Sequence, residues 1–242
     1  MRVGKLGRLT ISKGIFAGLV LGLFLGGAEA QNYARIFDGV SLKGWHATGE
    51  GVGVWSVKDS ALIGTMPAGR AESYLISDFN AKNFSLRLKL WWVRGNSGIN
   101  FRNIQQGSLA NGIQVDIEGA NTTGNLYDNV KAAYVARSDS TAKWFKPNAW
   151  NDILLEAEGA RIVVYLNGKK TVDFQDVGGR TDGVFAFQLH AGQAMELRFK
   201  DIEYWDHAVV STLSRPKFKE MRPIRGSSWI FRGWRIDGVK VD

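Results

Sequence analysis

The sequence predicts an all-β protein, a two-sheet antiparallel sandwich of the jelly-roll type. Three observations carry this. Nearly every apolar segment after residue 30 alternates with period two, Gly-rich turns separate the segments, and no long stretch keeps a helical period.

The clearest alternation puts Phe84, Leu86, Leu88, Leu90 and Trp92 on one side of a strand, with Ser85, Arg87, Lys89 and Trp91 on the other. Residues 162–166 and 170–174 flank Asn167-Gly168, a strong short hairpin signal because both residues tolerate positive φ. Further strands are expected at 55–57, 61–64, 74–77, 98–102, 112–118, 132–136, 152–157, 183–190 and 195–205. Trp45, Trp55, Trp92 and Trp150 lie in segments where burial is the simpler account.

The ends differ from this body. Arg2, Lys5, Arg8 and Lys13 precede an apolar run over 15–25, followed by Ala28-Glu29-Ala30, the order of a cleavable signal peptide over 1–30. The mature chain is then expected to start at Gln31 and to work in the periplasm or outside the cell, with no stable membrane span after processing. The chain has no cysteine, so disulfides and a lipid anchor on a new terminal cysteine are both excluded. Residues 207–242 form a basic extension, broken by Pro216 and Pro223 and then aromatic at Trp229, Phe231 and Trp234. Asp237-Gly238 has the composition of a small hairpin turn.

The formal charge of +8 is unevenly placed: residues 31–206 hold nineteen basic and nineteen acidic side chains, while the surplus sits in the two ends. A neutral body argues against nucleic-acid binding by the fold.

Residues two apart in a strand share a face, so Gln114, Asp116 and Glu118 project together while Val115 and Ile117 turn inward. Gln188 and His190 repeat the arrangement beside Phe187 and Leu189, as do Asn100 and Arg102 beside Ile99 and Phe101. Outward polar residues are ordinary on a half-solvated sheet. Two carboxylates at i and i+2 repel, however, unless a cation or a shared proton compensates, which favours a functional placement. Asp116 and Glu118 are therefore candidate ligands of a divalent metal ion as well as candidate acid/base groups. His46 and His207 read as solvated. Trp91, out of phase with the apolar face of its strand, and Trp144, in a polar loop, are candidates for stacking on sugar rings.

An ordered series of motifs then resembles the 3-keto-disaccharide hydrolase domain family. It runs through Phe37-Asp38-Gly39, Leu42-Lys43-Gly44-Trp45, 55–57 with 62–64, Asn96-Ser97-Gly98-Ile99 and Phe101-Arg102. It continues through 112–116, Thr123-Gly124 with Leu126-Tyr127, Trp150-Asn151, Leu166-Asn167-Gly168, Gln188-Leu189-His190 and 199–202. The resemblance covers about 35–206. It implies a concanavalin A-like jelly roll and cleavage of 3-keto-glycosides by hydrolysis or elimination, with a carbohydrate ligand and a sugar 3-dehydrogenase acting upstream. In that chemistry a C3 ketone acidifies the C2 hydrogen, a base removes it, and the C1 substituent leaves. His190 is the candidate base, and Arg102, or a metal on Asp116 and Glu118, the candidate stabiliser of the enolate. Tyr127 or Glu118 would protonate the leaving group, while Gln114, Gln188, Trp91 and Trp144 would bind substrate. Two other readings remain: a non-catalytic lectin-like module, and a laminarinase-like endo-glucanase, which Gln114 disfavours because an amide cannot serve as its nucleophilic carboxylate.

Overall fold

The computed structural model describes residues 33–49 and 54–208, together with short backbone strands at 235–236 and 239–240. The expected signal peptide and most of the basic extension lie outside these residues. In the extension, β16 (Arg235–Ile236) pairs antiparallel with β17 (Val239–Lys240), while the expected Asp237-Gly238 turn lies outside the described residues.

Two antiparallel sheets form the body. The eight-stranded sheet runs β13 (Lys169–Gln175), β12 (Arg161–Leu166), β11 (Asn151–Glu158), β6 (Phe84–Arg94), β15 (Met195–Asp206), β4 (Ala61–Met66) and β3 (Trp55–Lys58), with β1 (Ala34–Arg35) also on β15. The seven-stranded sheet runs β10 (Ala133–Ala136), β9 (Leu126–Asp128), β8 (Leu109–Ile117), β7 (Ser97–Gln106), β14 (Gly183–Leu189), β5 (Ser73–Ala81) and β2 (Trp45–Gly49). Two one-turn helices, α1 (Gly119–Thr122) and α2 (Thr141–Trp144), interrupt the connections around β9 and β10.

The alternation read from the sequence places the core. Phe84, Leu86, Leu88 and Leu90 of β6 face Phe101, Val115, Phe185 and Phe187 of the other sheet, and Trp92 packs on the same cluster. Phe84 meets Phe185 edge-on at 4.8 Å between ring centroids, a favoured aromatic geometry. Asn167 (φ 51°) and Gly168 (φ 75°) both adopt positive φ between β12 and β13, as a two-residue hairpin turn requires. Trp45 and Trp55 are buried as expected. Trp150 is not: it stands half-buried on the outer side of the eight-stranded sheet, with its ring against Trp91.

The β7–β8 hairpin decides the shape of the site. Its ladder slips between Phe101 and Ile104, where Arg102 takes φ 52°, and the far end of the hairpin bends over the outer side of β5 and β2. Ala110 packs there on Tyr74, Ile76 and Ala186, and Thr48 Oγ1 donates to Ser108 O at 2.6 Å. His46, expected to be solvated, helps to hold the tip. Its Nδ1 lies 2.6 Å from Asp78 Oδ1 and its Nε2 3.1 Å from Gln105 Oε1, and the hydrogen bond to Asp78 raises its pKa above the ordinary imidazole value. His207 is likewise engaged, 2.9 Å from Ser85 Oγ and against Trp205.

Candidate functional site

The register of the seven-stranded sheet lines up two polar rows on its outer face. One row sets Tyr127 opposite Gln114, Gln114 opposite Asn100, and Asn100 opposite Ala186. The next sets Asp116 opposite Gly98 and, on the far side of the sheet, Gln188 opposite Tyr74 and Tyr74 opposite Thr48. Continuing the β14–β7 register puts Gln188 beside Gly98, so Asp116 and Gln188 stand two strand spacings apart, roughly 10 Å.

Although they point away from the core, Asn100, Gln114, Asp116 and Gln188 are all buried. Loops and the bent hairpin cover them, and they bond to one another and to their neighbours. Asn129 donates to Asn100 Oδ1 at 2.9 Å and to Gln114 Oε1 at 3.2 Å. Gln114 Nε2 donates to Asp116 Oδ1 at 3.3 Å, and Tyr134 donates its hydroxyl to Asp116 Oδ2 at 2.9 Å. Gly98 permits this: a Cβ there would collide with the Gln114 amide.

Burial pushes the Asp116 carboxyl above its ordinary range; the donors oppose the shift and the nearby Glu118 charge adds to it. Glu118 therefore does lie close to Asp116. It has left the strand, however, since β8 ends at Ile117 and Glu118 precedes α1 as an exposed residue. Tyr134 is raised to about 12, by burial first and then by Asp116. Its ring stands edge-on to Tyr127 at 5.2 Å and carries the Arg137 guanidinium 4.5 Å from its centroid.

Residues 32–204 match the model of the 3-keto-alpha-glucoside-1,2-lyase-like domain. The chain belongs to that family. Membership makes it a carbohydrate-active jelly-roll protein, and solved structures share the fold. A carbohydrate-binding module, CBM66 of Bacillus subtilis, is 18% identical with a TM-score of 0.55, over 67% of this chain and 96% of its own. A β-glucanase of Bacillus licheniformis is 10% identical with a TM-score of 0.53, over 68% and 92%. No curated protein matches the chain.

For this 3-keto-glucoside lyase-like domain the structure gathers Asp116, Glu118, Gln114 and Tyr127 into one cluster. It puts Gln188 on the other side of β7. His190 follows β14 directly and is exposed, with Nδ1 2.9 Å from Ala191 O. A carbonyl can only accept, so in this contact Nδ1 is the donor and Nε2 is left outside it.

Three expected ligands of the sugar lie elsewhere. Arg102 is consumed by the backbone: its Nε and Nη2 donate to Lys82 O at 3.0 and 2.6 Å, and its Nη1 to Gly159 O at 2.8 Å. Positive φ at the bulge turns its side chain out of the row that holds Asn100. Trp91 lies on the outer face of the other sheet, edge-on to Trp150 at 5.6 Å and opposite Arg198. Trp144 ends α2 and packs on the apolar core.

The metal expectation fares no better. Both Asp116 oxygens accept from protein donors, and among the described residues no three His, Cys, Asp or Glu side chains come together to hold an ion.

Tyr134 and Asn129 complete the cluster, Glu72 bonds Gln188 across β7, and none of the three was read from the sequence. Tyr134 lies in a segment expected to be a strand, and its place opposite Tyr127 is the signal that pairing would have supplied. A separate cleft of about 420 Å³ opens between the sheets, with Ile162 on one wall, Phe101 and Ile113 on the other, and Lys131, Asp176 and Arg180 at its rim. Asp116 does not line it, and Arg180 there donates to the carbonyl oxygens of Arg102 and Asp182.

Proposed function

We propose that the protein cleaves 3-keto-glycosides on the outer face of the seven-stranded sheet, with His190 as the base. The observation that carries this reading is the polar cluster of Asp116, Gln114, Tyr134 and Tyr127 on that face, with the exposed His190 directly after β14 of the same sheet. An unoxidised sugar has no acidic C–H, so such a base has nothing to remove. With a ketone at C3, the C2 proton passes to His190 Nε2 and the C1–O bond breaks, its electron pair leaving with the departing oxygen. Glu118, exposed beside Asp116, returns a proton to that oxygen. Tyr127, whose hydroxyl has no protein partner among the described residues, is the donor available to the C3 oxygen as it gains charge. Addition of water to the resulting enone completes a hydrolysis; its release leaves an elimination.

The test is a matched pair of glucosides, one oxidised at C3 and one not. The oxidised sugar should be cleaved and the plain one left intact, and His190→Ala should slow cleavage by about 100-fold or more, the range for losing a general acid or base. Equal cleavage of both sugars overturns the reading in favour of a glucanase. Binding without cleavage of either makes the protein a lectin-like module.

The address read in residues 1–30 puts this reaction outside the cytoplasm. Mass spectrometry of the exported protein should find Gln31 at its start, and an intact Met1 species held in the membrane would exclude it.

A further inference from the structure

Three of the four large aliphatic side chains that stand exposed among the described residues gather at one place. Ile104 and Val130 line the cleft between the sheets, and Val177 adjoins its rim between Asp176 and Gly178. Scattered singly, such side chains are ordinary; gathered at the mouth of a cleft of about 420 Å³, they mark a surface that another apolar group covers. The walls behind them are apolar too, Ile162 from one sheet and Phe101 and Ile113 from the other. At the rim Lys131 is already paired with Asp128 at 2.9 Å, whereas the Asp176 carboxylate makes no hydrogen bond or ion pair among the described residues.

The chain delivers an apolar group to this end of the sandwich. His207 N donates to Asn83 O at 3.0 Å, next to Lys82, whose carbonyl oxygen holds the guanidinium of Arg102 on the cleft wall. The extension therefore leaves the body beside the cleft. Twenty residues, 209–228, lead from there to Trp229-Ile230-Phe231, and twenty residues span up to roughly 66 Å when extended. We propose that the Trp229-Ile230-Phe231 run docks in this cleft, with Arg232 set against Asp176. The aromatic rings cover Ile104, Val130 and Val177 and take apolar surface out of water on both sides of the contact. The guanidinium and carboxylate fix the direction in which the run enters. The chain's own extension is favoured over a second copy's, because a tether of this length holds it at an effective concentration on the order of millimolar.

The absence of cysteine allows a direct test on the intact protein. Val130→Cys with Ser228→Cys puts one thiol at the cleft mouth and one beside the aromatic run. Val40→Cys with Ser228→Cys is the control: Val40 is also exposed, but it follows Gly39, which packs on Ser60 in the β3–β4 turn, toward the opposite edge of the eight-stranded sheet from β12. Redox titration against glutathione should give the cleft pair an effective concentration about 10-fold or more above the control pair. Trp229→Ser with Phe231→Ser and, separately, Ile104→Glu on the body should each bring the two pairs within about twofold, with circular dichroism unchanged. Equal effective concentrations in the starting pairs, or a preference that survives either substitution, overturn the docking. A cleft disulfide that forms only between two molecules, in proportion to protein concentration, also overturns it and gives the cleft to a second copy.

Discussion

On the seven-stranded sheet, Asn100, Gln114, Asp116 and Gln188 point away from the core yet are buried. On the eight-stranded sheet, Arg87, Lys89, Arg161 and Arg198 also point away from the core but stay in contact with water, each closing an ion pair with an acid: Glu203, Asp152, Asp173 and Glu196. Alternation along the strands is the same on both. What differs is cover. The bent β7–β8 hairpin and the loops around α1 and β10 overlie one face, whereas the paired charges of the other remain solvated. Covered polar groups must find partners or lose stability, while solvated ion pairs contribute little. A face that accepts that cost is the one on which to look for a ligand.

If cover separates the two faces, buried and exposed polar groups must respond very differently to removal. The largest effect is expected at Arg102→Met, which leaves the Lys82 and Gly159 carbonyl oxygens without their donors. Urea unfolding should show a loss of roughly 2–4 kcal/mol. A loss below about 0.5 kcal/mol would mean that the guanidinium is not structural.

An intermediate effect, of opposite sign, is expected at Asp116→Asn. Burial raises this carboxyl, so the folded protein holds the proton more tightly than the unfolded chain does, and stability falls as the pH rises through the folded value. At pH 7 the variant, which carries no charge there, should melt about 2 °C higher. That advantage should vanish as the pH drops below the ordinary carboxylate range. A lower melting temperature at pH 7 would show that the Tyr134 and Gln114 bonds outweigh the burial. The smallest effect is expected for Lys89→Ala on the solvated face, within about 0.5 kcal/mol of the parent protein. A larger loss would break the contrast from the other side.

Much of the fold is legible in the sequence because period-two patterning is a local property. The inward set on β6, the buried Val115 and Ile117 and the Asn167-Gly168 turn all follow from neighbours in the chain. The site is legible only where that regularity holds. Gln114, Asp116 and Gln188 share the outer face because their strands are unbroken there. The extrapolation from Asn100 to Arg102 fails because the bulge lies between Phe101 and Ile104, and a positive φ changes which way a side chain leaves the strand. Glu118 keeps its neighbour Asp116 but not its burial, because the strand stops one residue early. Trp91 is correctly placed outside the apolar face of β6, yet that direction belongs to the other sheet, and no pattern within one strand reveals which of two outer faces bears the polar cluster. Tyr134, Asn129 and Glu72 arrive through loops and edge pairing, which periodicity does not encode.

Arg102 has one more consequence. Lys82 O lies in the turn that carries the chain from β5 in one sheet to β6 in the other, and Gly159 O lies in the β11–β12 turn of the opposite sheet. One guanidinium thus fastens both sheets at the same end of the sandwich, the place where a cysteine-rich domain would use a covalent cross-link. The chain has no cysteine. Its fastening is therefore indifferent to thiols and oxidants, and because a guanidinium keeps its proton across the working pH range it is equally indifferent to acidity there.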